Sequence, residues 1–252
     1  VLARTLWERA VSARQPHLIS VIGQAGIGKS RLAAELGAEA ESAGARVLWG
    51  RSLPYDQQTP YNGVAQMLRQ AAGVFENDTV EVARDKLSSL VADLVPADDA
   101  ASMTRYLSLV MGLGLDERAR EPLDLQYAIR SVFEHLSERA PLMIVFDDVH
   151  WADEATLDLV GYLSQHLMDR RIAILTLSRP ELLEARPIWG AGLLAFTSLM
   201  LNPLSPQDAH DAVCALLPEV KSAAVSKVVA AADGNPLFIE ELVACIEDDW
   251  SA

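Results

Sequence analysis

Residues 23–30, Gly23-Gln24-Ala25-Gly26-Ile27-Gly28-Lys29-Ser30, place an ammonium and a hydroxyl directly behind a glycine-rich bend. Glycine accepts positive φ, so such a bend can curl until successive backbone N–H groups converge on one anion. Lys29 then faces the outer phosphates of a nucleoside triphosphate, Ser30 offers an oxygen to Mg2+, and the helix that follows adds its positive end. Arg31, next in line, either touches phosphate or caps the crevice. The metal needs an opposing carboxylate, and Asp147 and Asp148 supply two at the end of the apolar run Pro141–Phe146. Acids ending an apolar strand are costly unless they face a cation or a wet crevice. On this reading Asp147 contacts Mg2+ and Asp148 orients or activates the attacking water, with spacing alone leaving the division of roles open. Arg179 ends the next apolar run and is placed to reach a γ-phosphate; its alternative is an ion pair with a surface acid. The chemistry is phosphoryl transfer, with Lys29, Asp148 and Arg179 as catalytic candidates, 23–31 as phosphate contacts, and Ser30 and Asp147 as metal ligands.

These groups must be set on elements that bring them to one edge. Five short apolar runs read as strands: His17–Ile22, Ala45–Arg51, Pro141–Asp147, Ile172–Ser178 and Ser198–Leu204. Helical spacing fills 30–44, a segment opened by Thr59-Pro60 and running to Ala72, then 78–95, 97–112, 124–139 and 153–168, with Asp153 as N-cap. Strands alternating with helices imply a parallel sheet with right-handed crossovers. In such sheets ligands sit outside the strands' carboxyl ends, where the loop, the acids and Arg179 all fall. After Ser205-Pro206 the pattern is helical only, over 206–217, 219–232 and 236–249. The expected organisation is an α/β core over 1–204 with a helical insertion at about 52–140, then a helical lid over 205–252.

Composition narrows the function classes. The 252 residues include 35 acidic and 21 basic side chains, a net charge of −14, and residues 201–252 alone carry nine acids against two bases. Such a surface repels a phosphate backbone, which opposes nucleic-acid binding by this chain. No apolar run approaches the ~18 residues of a membrane span, so no membrane contact is expected. Two cysteines, Cys214 and Cys245, read as reduced core thiols of a cytoplasmic protein. His17, His135, His166 and His210 lack ligand-spaced partners for zinc, and no Ser-hydrolase elbow is present. The chain opens at Val1, which reads as a piece of something longer.

GQAGIGKSRL, FDDVHWAD, TLSRPE and GNPLFIEEL, in that order, resemble the AAA-like P-loop ATPase modules of STAND signal-transduction proteins. The resemblance runs over nearly the whole chain. It is closest to the modules of large LuxR-type transcriptional regulators and of adenylyl cyclases fused to such an ATPase. It implies the P-loop NTPase fold, ATP and ADP with Mg2+ as ligands, and effector domains outside this chain, either a cyclase or a helix-turn-helix, with homo-oligomers open. It also implies that Pro236, in Gly234-Asn235-Pro236-Leu237, packs on adenine. The family's usual Glu is Gln24 here, and its usual Glu-Asp is Asp147-Asp148. The family's hydrophobic-Gly-Arg-Glu segment would lie upstream of Val1. His150, Trp151 and Asp153 read as a packed aromatic turn and a helix cap. The resulting expectation is a slow ATP-driven switch; the alternatives are a nucleotide-locked interaction module and, opposed by charge, a nucleic-acid loader.

Overall fold

Apolar residues alternate between two faces of every inner strand, so the sheet must be covered on both sides. The computed structural model describes residues 2–55, 60–114, 122–217 and 222–251. It opens with α1 (Leu2–Ser12), β1 (His17–Ile22), α2 (Lys29–Ser42) and β2 (Arg46–Arg51). A helical block follows: α3 (Asn62–Ala72), α4 (Val80–Leu94), α5 (Ala97–Val110) and α6 (Pro122–Arg139). The chain returns through β3 (Leu142–Asp147), a 3-10 turn at Val149–Trp151, α7 (Glu154–His166), β4 (Ile172–Ser178), α8 (Glu181–Ala185) and β5 (Phe196–Met200). It ends in α9 (Pro206–Leu216), α10 (Ser222–Ala232) and α11 (Pro236–Ser251). The five strands form one parallel sheet in the order β2-β3-β4-β1-β5.

Ile19, Val21, Met143, Val145, Leu175 and Leu177 bury against α1 and α2. Their neighbours Leu18, Ile144, Phe146, Ile172 and Ile174 share a second core with α3 to α7. A third cluster, built on Ala209, Val213, Val228, Ala232, Ile239 and Val243, joins α9, α10 and α11. Among the described residues no helix is long and apolar enough to cross a membrane.

The β2 edge is closed by side chains. Gln70 of α3 accepts from the Trp49 N–H and donates to the Trp49 carbonyl (2.9 and 2.7 Å). Gln66, one helical turn earlier, does the same at Arg51 (3.0 Å each). Two residues along a strand span nearly the same distance as four along a helix, so two amides can stand in for a missing strand. The fit requires close approach: a Cβ at Gly50 would lie 2.2 Å from the Gly63 carbonyl oxygen.

Several expected boundaries shift for physical reasons. The third helix begins at Asn62, behind Tyr61 at φ 63°, while Thr59, its expected cap, lies outside the described residues. The fifth strand runs Phe196–Met200, not Ser198–Leu204. Pro203 cannot donate to a ladder, and the Leu204 N–H goes instead to the Gly234 carbonyl (2.8 Å). The structure adds two helices to the expected set, α1 and α8; Ala3, Leu6, Trp7 and Ala10 of α1 fall on one buried stripe. Cys245 is exposed and Cys214 half-buried, so neither is the core thiol expected.

Candidate functional site

The bend between β1 and α2 has the conformation its glycines allow. Gly26 and Gly28 lie at φ 75° and 99°. Gly28 has open space around it, so a side chain there is opposed by backbone conformation and not by crowding. Ile27 is buried and Lys29 is 7% exposed. The Lys29 ammonium turns back over the loop and donates to the Gly23 and Gln24 carbonyls, both at 2.9 Å. Burial lowers the Lys29 pKa; Asp148 opposes the shift, and nearby Arg179 adds to it.

Across the cleft, the Ser30 hydroxyl donates to Asp147, at 3.0 Å from Oδ2 and 3.2 Å from Oδ1. Asp147 is 4% exposed. Its pKa is raised first by burial and then by the like charge of Asp148, while the Ser30 hydrogen bond and Arg51 work the other way. Among the described residues Asp147 forms no ion pair. A buried carboxylate and a hydroxyl make a hard oxygen pair of the kind Mg2+ prefers.

Asp148 follows β3 in the left-handed region at φ 55° and starts the 3-10 turn. Its Oδ2 accepts from Arg51 Nε and Nη2 (3.1 and 2.9 Å). Arg51 ends β2 in register with Asp147, and the bond to Asp148 raises its pKa. Sequence reasoning missed Arg51. It sits at the end of a strand, as Arg179 does, but only the pairing of β2 with β3 brings it to the acids. Arg179 follows β4, and its backbone N–H donates to His150 Nδ1 (3.4 Å). His150 has its pKa lowered mainly by burial, and its Nε2 is buried with no hydrogen-bond partner among the described residues. Asp153 caps α7 by accepting from the Thr156 N–H (2.9 Å) and also holds the Tyr61 N–H (3.2 Å).

Lys29, Ser30, Arg31, Arg51, Asp148, Arg179 and Pro236 line one cleft of about 320 Å3 together with Ala25, Gly26, Gly28, Leu237 and Glu240. Among the residues singled out from sequence, the Arg31 guanidinium is engaged by Glu240 of α11 at 3.3 Å. The Ala25 carbonyl accepts from Asn235 Nδ2 (3.0 Å) and the Gly26 carbonyl from the Leu237 N–H (3.2 Å). The helical segment thus forms one wall of the cleft. The side that faces the loop and the acids is strongly polar, and Pro236 and Leu237 are its apolar counterparts. A ligand with an anionic end and a flat apolar end suits that division.

Residues 2–175 match the family described as the AAA ATPase domain. An uncharacterised protein of Rhizobium meliloti (strain 1021) is 25% identical over 249 residues, covering 94% of this chain. The chain spans only 23% of that relative's length. The Aeropyrum pernix ORC1 protein, solved in complex with DNA, matches 96% of this chain and 57% of its own at 17% identity and a TM-score of 0.54. A Pyrococcus horikoshii STAND protein with a tetratricopeptide repeat sensor matches 92% of this chain and 28% of its own, at 17% identity and a TM-score of 0.46. The likeness to the Aeropyrum protein is one of fold.

Proposed function

The chain belongs to the AAA ATPase domain family, and on that premise we propose that it is the nucleotide-dependent switch of a larger signalling protein of the STAND type. ATP lies with its phosphates on the bend of residues 23–30 and its adenine against Pro236. Residues 205–252 act as a lid over the α/β core. Lys29 offsets charge on the outer phosphates, and Arg179 reads the γ-phosphate. Asp148 orients the attacking water. Ser30 and Asp147 would hold Mg2+, which when bound supplies positive charge to the phosphate oxygens. The observation that carries this reading is the pairing of Ser30 with a buried Asp147 that forms no ion pair among the described residues, near enough to the Lys29 ammonium for each to feel the other's charge. Nucleotide state would bias the packing of lid on core, and that packing would be read by effector domains beyond this chain, a cyclase or a helix-turn-helix.

A second reading, in which nucleotide stays locked in and turnover is negligible, is favoured by one contact. Asp148 Oδ2 already accepts two bonds from Arg51, which reduces its capacity to accept a proton from water. Steady-state ATP hydrolysis with Mg2+ separates the two, comparing the wild type with Asp148→Asn. The switch requires turnover in the wild type that falls at least about tenfold in the variant. Equal, near-background rates in two proteins that both bind ATP would replace it with the locked reading.

A further inference from the structure

We propose that Asn235 is a positioning residue for phosphate binding, holding the bend in its anion-receiving shape from outside without touching the ligand. The proposal rests on the reading that phosphates occupy this bend. In a trans peptide the C=O and the next N–H point to opposite sides. An N–H that faces a ligand therefore obliges the preceding carbonyl to face away, and a carbonyl turned into protein needs a donor there.

Four consecutive carbonyls of the bend have one. Those of Gly23 and Gln24 accept from Lys29 Nζ, each at 2.9 Å. That of Ala25 accepts from Asn235 Nδ2 at 3.0 Å, and that of Gly26 from the Leu237 N–H at 3.2 Å. The second pair of donors comes from the lid, 210 residues further along in the case of Asn235. These two bonds fix the planes whose N–H groups belong to Gly26 and Ile27; the Ile27 N–H makes a long 3.4 Å bond to the Gln24 carbonyl, which a phosphate oxygen would have to displace.

Asn235 is built to hold its amide still. Its Oδ1 shares the Leu237 N–H with the Gly26 carbonyl, at 3.1 and 3.2 Å, which sets the amide plane and leaves Nδ2 aimed at the loop. The reverse orientation would set two oxygens against each other at Ala25. On its other side the segment is pinned by the Leu204 N–H bond to the Gly234 carbonyl (2.8 Å), and a Cβ at Gly234 would lie 2.5 Å from the Leu204 carbonyl oxygen. The fit at the loop is equally close, since a Cβ on Gly26 would lie 2.8 Å from Asn235 Oδ1 and from Leu237 Cβ. Gly26 is thus required for lid contact as well as for its positive φ. Pro236 and Asn235, adjacent in sequence, serve opposite ends of the ligand: one the base, the other the phosphates.

The test is calorimetric titration of wild type, Asn235→Ala and Asn235→Asp with Mg-ADP and with AMP, which lacks the β-phosphate. Affinity for ADP should fall about tenfold in the Ala variant, the equivalent of one hydrogen bond, and further in the Asp variant. AMP affinity should change less than about twofold. Backbone relaxation of the nucleotide-free chain should show lower order parameters at Gly26 and Ile27 in both variants. Unchanged ADP affinity, or equal losses for ADP and AMP, would overturn the proposal, as would unchanged order parameters. Because the relaxation measurement needs no ligand, a wild type that binds neither nucleotide would defeat the functional reading while this proposal is still decided.

Discussion

Asp147 costs the nucleotide-free chain stability, because burial and the like charge of Asp148 outweigh the help it receives from the Ser30 hydroxyl, Arg51 and a backbone hydrogen bond at Asp148. Its folded-state pKa lies above the ordinary carboxylate value of about 4. The folded chain therefore keeps this proton to higher pH than the unfolded chain does. The contribution is most favourable below the unfolded value and is lost as pH rises through the folded one. Asp147→Asn keeps an acceptor for Ser30 and removes the titration. Without nucleotide, the variant should melt above the wild type at pH 7, with the gap closing as pH falls towards 4. A scanning-calorimetry series with the variant less stable at pH 7 would contradict this. A site that holds an uncompensated charge is prepared for a cation, and its cost is recovered when one binds.

The elements were legible in the sequence where a single periodicity ruled. The runs 17–22 and 172–178 match their strands residue for residue, because strands buried on both faces leave near-continuous apolar text. Most of the proposed site was legible for a related reason: the bend, the acid pair and Arg179 each end or follow such a run. What stayed hidden depends on pairing across long separations. Arg51 meets Asp148 only because β2 lies beside β3, and Asn235 meets Ala25 only because the C-terminal helices fold back on the bend. The stripe of α1 was present in the text but lacked the caps and flanking runs that would have marked it as an element. The edge amides of α3 had no sequence signature, since Gln66 and Gln70 on a helix are ordinary surface residues until a strand edge stands opposite. Their geometry depends on Gly50. Gly50→Ala would drive a methyl into the Gly63 backbone, which cannot swing aside as a side chain can. We expect a loss of about 3 kcal/mol in urea unfolding; a loss below about 0.5 kcal/mol would show that α3 rides on β2 more loosely than described.

At the scale of the whole molecule, a strongly acidic chain gathers Lys29, Arg31, Arg51 and Arg179 around one cleft. Arg51 and Arg31 are paired there with Asp148 and Glu240, and the positive excess left by Lys29 and Arg179 attracts a small polyanion, while the remaining surface repels an extended one. The C-terminal helices touch that cleft through the loop's own carbonyls and through the Arg31–Glu240 pair, so a change in the shape of the bend bears directly on how those helices seat. Such a coupling suits the proposed switch. The measurement that bears most directly on this account is a crystal structure grown with Mg2+ and a non-hydrolysable ATP analogue. Phosphates should then be seated on the N–H groups of residues 26–30, the metal between Ser30 and Asp147, and the base against Pro236. An empty bend, or a nucleotide bound elsewhere with Asp147 still bonded to Ser30 and no metal between them, would contradict it.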